Sequence, residues 1–226
     1  MVNIQKAAVI GCGFVGSTIA YTLMQKGLFS EMVLLDANKA KAEGEAMDIS
    51  HGLPFTHAMD IYAGEYEDIA DASVVIITAG ANQKPGETRL DLVQKNAAIM
   101  RSIIKEIKRV NCEGILLIVS NPVDILTEVA LRESGFPKER VIGSGTVLDT
   151  ARLKYIISEK LDVDSRNVHA FIVGEHGDSE LAAWSCANIY GIKLQDFAKM
   201  RGYEHFAQDM EEVYKGVRDS AYEIIE

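Results

Sequence analysis

The chain has 226 residues, of which 48% are hydrophobic and 25% charged, and its formal net charge is −10. That negative charge argues against nucleic acid and anionic membranes as partners, because both require a positively charged protein surface. No apolar run approaches the roughly 18 residues that a membrane span needs. The three cysteines are odd in number and form no CxxC pair, which argues against structural disulfides and metal sites and favours a reducing cytoplasm.

Short β-branched runs alternate with longer helical patterns through the first two-thirds of the chain. Strands are predicted at residues 6–10, 32–35, 60–63, 74–78, 115–119 and 141–142. Helices are predicted at residues 17–26, 39–48, 90–110 and 125–133. Several strands are continuously apolar, as expected for strands that are covered on both faces. The alternation predicts an α/β fold with a parallel sheet and right-handed crossovers.

A glycine-rich sequence, GCGFVG at residues 11–16, lies between the first predicted strand and the first predicted helix. Its glycines allow a tight turn close to a pyrophosphate, and the helix N-terminus offers free N–H groups to phosphates. The pattern alone is a weak signal, but Asp36 closes the second predicted strand 20 positions after Gly16. A carboxylate there accepts hydrogen bonds from ribose hydroxyls and repels a 2′-phosphate. Residues 1–146 are therefore predicted to form a Rossmann-type, doubly wound domain that binds NAD rather than NADP.

The pattern changes in the last third of the chain. A helix is predicted to begin near Val147, strand-like segments follow Asn167, and a long polar-faced helical pattern covers residues 196–226. Residues 147–226 are therefore predicted to form a smaller α+β domain that binds the substrate.

Three segments carry side chains suited to chemistry. The first, residues 80–89, is a polar loop at the end of a buried strand, where open α/β sheets bind ligands, and it suits a movable lid. The second places Asp149 and Arg152 on one helix face, with a surface ion pair as the alternative interpretation. The third places His176 between two glycines after an apolar strand, where a structural histidine is the alternative.

The sequences GEHGD at residues 174–178 and LDTAR at residues 148–152 are together highly specific to the L-lactate/L-malate dehydrogenase family. The chain resembles this family over its whole length, including NPVD at residues 121–124 and GSGT at residues 143–146. The resemblance implies an NAD-dependent oxidoreductase that acts on L-2-hydroxy acids.

The resemblance also implies roles for individual residues. Arg152 would hold the substrate carboxylate, His176 would exchange the proton with the ketone oxygen, and Asp149 would orient the imidazole. Arg89 would close over the substrate with the loop and stabilise the developing oxyanion. The residues implied in substrate binding are Gln83, Arg89, Asn121, Asp124 and Arg152. The residues implied in NAD binding are Gly11, Gly13, Val15, Gly16, Asp36, Lys41, Tyr66, Gly80, Ala81, Asn121 and Ser144. Lys41 and Tyr66 match less specifically, and surface side chains are the equal alternative for both.

Gln83 bears on the choice of substrate. Malate enzymes of the family carry an arginine here, whereas a neutral glutamine would leave the second carboxylate of oxaloacetate desolvated and unpaired. The run QKPGETR at residues 83–89 is similar to that of bacterial lactate dehydrogenases. The resemblance therefore implies reversible, NADH-dependent reduction of pyruvate to L-lactate in fermentation or glycolysis. Malate and bulkier 2-oxo acids stay open as alternatives.

Two further expectations concern assembly and regulation. Members of the family continue well beyond the position of Glu226, so the resemblance implies that a C-terminal portion is lacking. A catalytically impaired NAD-binding fragment is therefore an alternative, and a homotetramer is implied for the full length. Many bacterial members are activated by fructose 1,6-bisphosphate through an arginine and a histidine, which match Lys154 and His169 here. Because lysine lacks the two-pronged geometry that suits a phosphate, a weakened effector site is expected, with ordinary polar residues of a subunit contact as the alternative.

Overall fold

This computed structural model describes residues 1–81, residue 86 and residues 88–225 of the chain. The chain forms two compact units, Met1–Gly143 and Ser144–Glu226, and each has a hydrophobic interior of its own. No helix within these described ranges is long and apolar enough to cross a membrane.

The first unit contains a six-stranded parallel sheet with helices between its strands. The strands are β1 (Asn3–Ile10), β2 (Glu31–Leu35), β3 (Asp60–Ala63), β4 (Ala72–Ile77), β5 (Ile115–Ile118) and β6 (Val141–Gly143). The helices are α1 (Phe14–Lys26), α2 (Lys39–Ser50), α3 (Arg89–Arg109) and α4 (Val123–Ser134). The strand order is β3-β2-β1-β4-β5-β6, the doubly wound order of a Rossmann-type sheet. The predicted fold class is therefore confirmed.

Alternate residues of the central strands face two separate interiors. On β1, Ala8 and Ile10 pack in one interior and Val9 packs in the other. On the neighbouring β2, Val33 and Leu35 join the first of these interiors. Because both faces of the sheet are covered, these strands are apolar at every central position. Each fully buried aliphatic side chain contributes about 1.5–3 kcal/mol, which fixes the strand ends and the loops that follow them.

The order in which strands are added to the sheet reverses between β1 and β4. These two strands are parallel neighbours, with Ile10 opposite Ile77. Such a reversal leaves a crevice at the carboxyl ends of the two strands, where doubly wound proteins bind ligands. The GCGFVG sequence follows β1 and residues 78–81 follow β4, so both segments lie at this point of the sheet.

The second unit is a smaller α+β assembly. Its helices are α5 (Val147–Leu161), α6 (Leu194–Met200) and α7 (Phe206–Ile225). Its short strands are β7 (Val168–His169), β8 (Ile172–Val173), β9 (Leu181–Ala182), β10 (Asn188–Ile189) and β11 (Ile192–Lys193). Antiparallel pairing joins β11, β10 and β7 in one sheet and β8 with β9 in another. Leu153 and Ile157 of α5 pack in one interior with Val213 and Val217 of α7.

The prediction of a single helix across residues 196–226 is wrong. Helix α6 ends at Met200, and α7 begins only at Phe206. Between them, Gly202 has a φ of 87°, a left-handed conformation that ends a helix and that other residues rarely adopt. Phe197 and Met210 pack in the same interior on either side of this turn, so the hydrophobic periodicity alone does not reveal the break.

Candidate active site

The GCGFVG loop has the geometry of a phosphate-binding turn. Gly11 has a φ of 103°, and a Cβ there would lie 2.6 Å from the backbone nitrogen of Ala79. A Cβ on Gly16 would lie 1.8 Å from the carbonyl oxygen of Gly11, so both positions require glycine. A Cβ on Gly13, by contrast, would meet no described atom within 4 Å. Gly13 is the N-cap of α1, so this open space lies beside the first N–H groups of a helix, which suits an anion.

Asp36 follows β2 and holds the glycine loop in place. Its Oδ2 accepts a 2.8 Å hydrogen bond from the backbone N–H of Cys12, and its Oδ1 accepts a 2.9 Å bond from that of Asn38. Because a carboxylate has about four acceptor sites, both oxygens can also accept hydrogen bonds from ribose hydroxyls. The Cys12 thiol is buried, and this burial, with the charge of Asp36, raises its pKa to about 11. The thiol therefore stays protonated and is not an activated nucleophile.

Asn96, which the sequence analysis missed, joins the segments that follow β4 and β5. This α3 residue is only 4% exposed. Its Oδ1 accepts a 2.8 Å hydrogen bond from the backbone N–H of Ala81, and its Nδ2 donates a 2.9 Å bond to the carbonyl of Asn121. A signal was available, because Asn96 continues the buried stripe of Met100 and Ile103 at helical spacing, where a polar side chain needs partners.

The other residues implied in NAD binding differ in how closely they approach this loop. The charge of Lys41, an exposed α2 residue, acts on the Cys12 thiol, so its side chain lies near the loop. Val15 is 55% exposed on the first turn of α1. Tyr66 packs against the interior of the first unit instead, and burial raises its pKa. Gly80 lies beside the side chain of Asn96, and Ser144 is the first residue of the second unit.

In the second unit, one buried carboxylate contacts both an imidazole and a guanidinium side chain. Asp149 of α5 is 2% exposed. Its Oδ2 lies 2.5 Å from Nδ1 of His176, and its Oδ1 lies 3.2 Å from Nη1 of Arg152. The ion pair between Asp149 and Arg152 in the alternative interpretation is present, but it does not lie on the surface, because the carboxylate is buried. The arrangement unites three of the predicted site residues.

Two threonines at the start of α5 position the strand that leads to His176. Thr146 Oγ1 donates a 2.7 Å hydrogen bond to the carbonyl of Ile172, and Thr150 Oγ1 accepts a 3.0 Å bond from the N–H of the same residue. Strand β8 is thereby attached to the first turns of the helix that carries Asp149. This attachment explains how His176, only three residues after β8, meets the Asp149 carboxylate.

Glu180 adds a second buried carboxyl group to this cluster, and the sequence analysis assigned it no role. The residue is 6% exposed, and its Oε1 has no hydrogen-bond partner among the described residues. Burial, followed by the charge of Asp149 and a hydrogen bond to it, raises the pKa of Glu180 to about 7. The signal in the sequence was slight: Glu180 directly precedes β9 and lies two positions before Ala182, which is buried.

The cluster suits proton transfer better than metal binding. Asp149, His176 and Glu180 each offer one ligand atom, and these atoms lie within 4.8 Å of one another. However, the 2.5 Å contact between Asp149 and His176 leaves no room for an ion between them, since metal–ligand bonds are about 2.0–2.2 Å long. With Arg152 included, Glu180 neutral and His176 protonated, the four side chains carry a net charge of +1, which complements a monocarboxylate.

The other predicted site residues are not among the four side chains clustered around Asp149. Asp124 lies exposed in the first turn of α4. Gln83 lies outside the described residues, and Arg89 is the first residue of α3 with a side chain that is likewise not described. Lys154 is half-buried on α5, and His169 is exposed on β7, which packs against that helix.

Comparison with known protein families matches both units. Residues 5–143 match the NAD binding domain of lactate/malate dehydrogenases. Residues 146–226 match the alpha/beta C-terminal domain of the same enzymes.

Individual relatives agree with these family matches. The chain is 56% identical to an L-lactate dehydrogenase of Acetivibrio thermocellus over 98% of its own length and 70% of that protein's length. It is 54% identical to an L-lactate dehydrogenase of Priestia megaterium, covering 98% of the chain and 69% of the relative. A lactate dehydrogenase from a Medee basin deep-sea metagenome library superposes with a TM-score of 0.95 at 53% identity, covering 100% of the chain and 71% of that structure. The minor L-lactate dehydrogenase of Enterococcus mundtii, in its ligand-bound form, gives a TM-score of 0.94 at 46% identity, with coverage of 98% and 70%.

Proposed function

Because this chain belongs to the lactate/malate dehydrogenase family, we propose that it interconverts pyruvate and L-lactate with NAD as the cofactor. The observation that carries the proposal is the Asp149 carboxylate, which binds both His176 and Arg152. That arrangement brings together a guanidinium that can bind the substrate carboxylate and an imidazole that can exchange a proton. The names of the relatives, L-lactate dehydrogenases at 54–56% identity, support the choice of substrate.

Arg152 is proposed to bind the substrate carboxylate. A guanidinium offers two parallel N–H groups that match a carboxylate, so it fixes the direction in which the neighbouring ketone points. Arg152 is partly exposed and already contacts Asp149 through Nη1. That contact restrains the side chain before substrate arrives, which lowers the entropy lost on binding.

His176 is proposed to exchange the proton. Because a carboxylate only accepts, the 2.5 Å contact with Asp149 favours a proton on Nδ1, and Nε2 is the nitrogen proposed to donate its proton to the ketone oxygen. The carbonyl π bond opens, the carbon gains a hydride and the oxygen gains the proton, which yields a hydroxyl. In the reverse direction Nε2 takes this proton back. Asp149 stabilises the imidazolium and holds its orientation throughout.

The first unit is proposed to hold the cofactor. NADH, when bound, supplies the hydride for the reduction. The open space at Gly13 and the N-terminus of α1 suit the pyrophosphate, and Asp36 suits the ribose hydroxyls. Asn96 keeps Ala81 and Asn121 in fixed positions through its two hydrogen bonds. The substrate-binding roles implied by the resemblance are proposed for Arg89, Gln83, Asn121 and Asp124.

The finer features of this proposal rest on the sequence. We propose a homotetramer with a weakened site for fructose 1,6-bisphosphate at Lys154 and His169, which lie on α5 and β7. A cytoplasmic enzyme of fermentation is proposed, in keeping with three cysteines that are all free thiols. The effector site is tested by measuring the KM for pyruvate with and without the bisphosphate.

Turnover of pyruvate with NADH tests the main proposal. We expect NADH oxidation that yields L-lactate, and a loss of about 10²–10⁴-fold in kcat for His176→Asn with NADH affinity retained. His205→Asn, at an exposed histidine of the same unit, is the matched control and should leave kcat unchanged. NADH binding without any turnover would contradict the proposal and support a cofactor-binding fragment.

A further inference from the structure

Glu180 is a buried titratable group to which the proposed mechanism gives no task. Its carboxyl lies within 4.8 Å of the Asp149 oxygen and of the His176 ring nitrogen. Its Oε1 has no hydrogen-bond partner in the described part of the chain, and the residue is 6% exposed. A buried carboxylate oxygen without a donor is strongly disfavoured, because its hydrogen bonds to water are not replaced by hydrogen bonds within the protein.

Protonation of Glu180 reduces this cost, because a neutral carboxyl oxygen without a donor is less costly to bury than a charged one. A neutral carboxyl group carries an O–H donor, and Asp149 offers a carboxylate that can accept it. The two Asp149 oxygens already accept from His176 and Arg152, and each oxygen has a further lone pair. A carboxyl and a carboxylate that lie together hold one proton more readily than none, since two neighbouring negative charges repel. The pKa of Glu180, raised to about 7 by burial and by Asp149, agrees with this geometry.

The groups that face Glu180 come from three elements. Helix α5 contributes Asp149 and Arg152, and the segment after β8 contributes His176. Helix α7 contributes Tyr214, whose hydroxyl donates a hydrogen bond to the backbone carbonyl of Glu180. The charged neighbours of Tyr214 on α7 are Glu211 and Arg218. Arg152 and His176 are the cations that favour ionisation of Glu180, and they oppose the effects of burial and of Asp149.

We propose that Glu180 is a positioning residue for the proton transfer: while neutral it donates a hydrogen bond to Asp149, and once ionised it strengthens the hold of His176 on its proton. This inference rests on the proposed function of His176. The neutral carboxyl draws electron density from Asp149 and weakens its attraction for the imidazolium. The ionised carboxyl adds a second negative charge within 4.8 Å and favours the imidazolium.

NMR titration of the chain tests this inference without relying on turnover. We expect the side-chain carboxyl ¹³C resonance of Glu180 to titrate near pH 7, and Asp149→Asn to move that midpoint to lower pH. The resonance is assigned by triple-resonance spectra of the unsubstituted chain, so the result does not depend on the folding of a variant. A midpoint near pH 4.5 in the unsubstituted chain would overturn the proposal.

The imidazole ¹⁵N signals of His176 supply the second measurement. Glu180→Gln keeps a donor and the size of the side chain but cannot ionise. We expect it to move the titration curve of His176 by about one pH unit to lower pH. Glu175→Gln is the matched control, because Glu175 is adjacent to His176 in the chain but exposed, and its charge is screened by water. Coinciding curves for Glu180→Gln and the unsubstituted chain would overturn the proposal.

Turnover separates this inference from the proposed function. If the chain reduces pyruvate, the pH at which kcat/KM falls to half should drop by about one unit in Glu180→Gln, with a smaller change in its maximum. A purely structural role would instead lower kcat/KM equally at every pH and would overturn the inference. If no variant turns over, the proposed function fails, while the two NMR titrations still decide the role of Glu180.

Discussion

The side-chain amide of Asn96 donates a 2.9 Å hydrogen bond to the backbone carbonyl of Asn121. The same side chain accepts from Ala81, so one buried residue of α3 connects the ends of two neighbouring strands. Both ends carry residues of the proposed cofactor and substrate sites. A helix that covers the sheet thus also sets the spacing of these two segments.

Replacing Asn96 should therefore cost both stability and cofactor affinity. Asn96→Ala leaves the N–H of Ala81 and the carbonyl of Asn121 without their partner, which we expect to lower the free energy of unfolding by about 2–3 kcal/mol. Urea denaturation measures this loss, and fluorescence titration should show weaker NADH binding. Gln94→Ala, at an exposed position of the same helix, is the control. Equal stability of the two variants would contradict the connecting role of Asn96.

Arg152→Lys tests the two-pronged geometry of the substrate carboxylate site. Lysine keeps the positive charge but presents no planar pair of N–H groups. We expect the KM for pyruvate to rise about 10–150-fold, which is the loss of one charge-assisted hydrogen bond, with the Kd for NADH unchanged. Arg166→Lys is the matched control, because Arg166 is 87% exposed and pairs with Asp164. An unchanged KM in Arg152→Lys would place the carboxylate elsewhere.

Gln83→Arg tests substrate selectivity. The added guanidinium would pair with the second carboxylate of oxaloacetate, so we expect the ratio of kcat/KM for oxaloacetate over pyruvate to rise. Gln94→Arg introduces the same charge at an exposed position of α3 and should leave the ratio unchanged. Equal ratios in the two variants would show that Gln83 does not contact the substrate side chain.

Glu180 should make the stability of the chain depend on pH. Folding raises its pKa from 4.5 to about 7. A carboxyl with a raised pKa contributes stability that is fully present below pH 4.5 and is lost as the pH rises through 7. We expect the unfolding free energy of Glu180→Gln, relative to the unsubstituted chain, to increase by about 3 kcal/mol between pH 4 and pH 8. Urea denaturation at both pH values measures it, and a difference that is constant with pH would contradict this prediction.

Residues that act through a local pattern were predictable from the sequence. The strands were found because burial on both faces makes them continuously apolar, as in β1 and β4. Gly11 and Asp36 were singled out because their spacing is typical of a phosphate-binding turn and its acidic partner. Asp149 and His176 were recognised through short motifs that resemble those of a known family, and the structure places them 2.5 Å apart.

Residues that act through distant partners were not predictable in the same way. Asn96 lies 15 residues after one partner and 25 before the other, so the helical pattern indicates that it is buried but does not identify either bonding partner. Glu180 is unusual only because the fold buries it beside Asp149, 31 positions away. The turn at Gly202 was missed because one glycine in a polar segment weakens a helical pattern without excluding it.

The bond from Cys12 to Asp36 limits how cofactor preference can be altered. The carboxylate that is proposed to select NAD also anchors the backbone of the glycine loop through a 2.8 Å hydrogen bond. Replacing Asp36 with a small or cationic residue, to admit a 2′-phosphate, would release that anchor together with the negative charge. A redesign toward NADP therefore needs a substitute acceptor for the Cys12 N–H, such as a serine or asparagine side chain. Without one, the loop that binds the pyrophosphate would loosen as the ribose site changed, and affinity for both cofactors would fall.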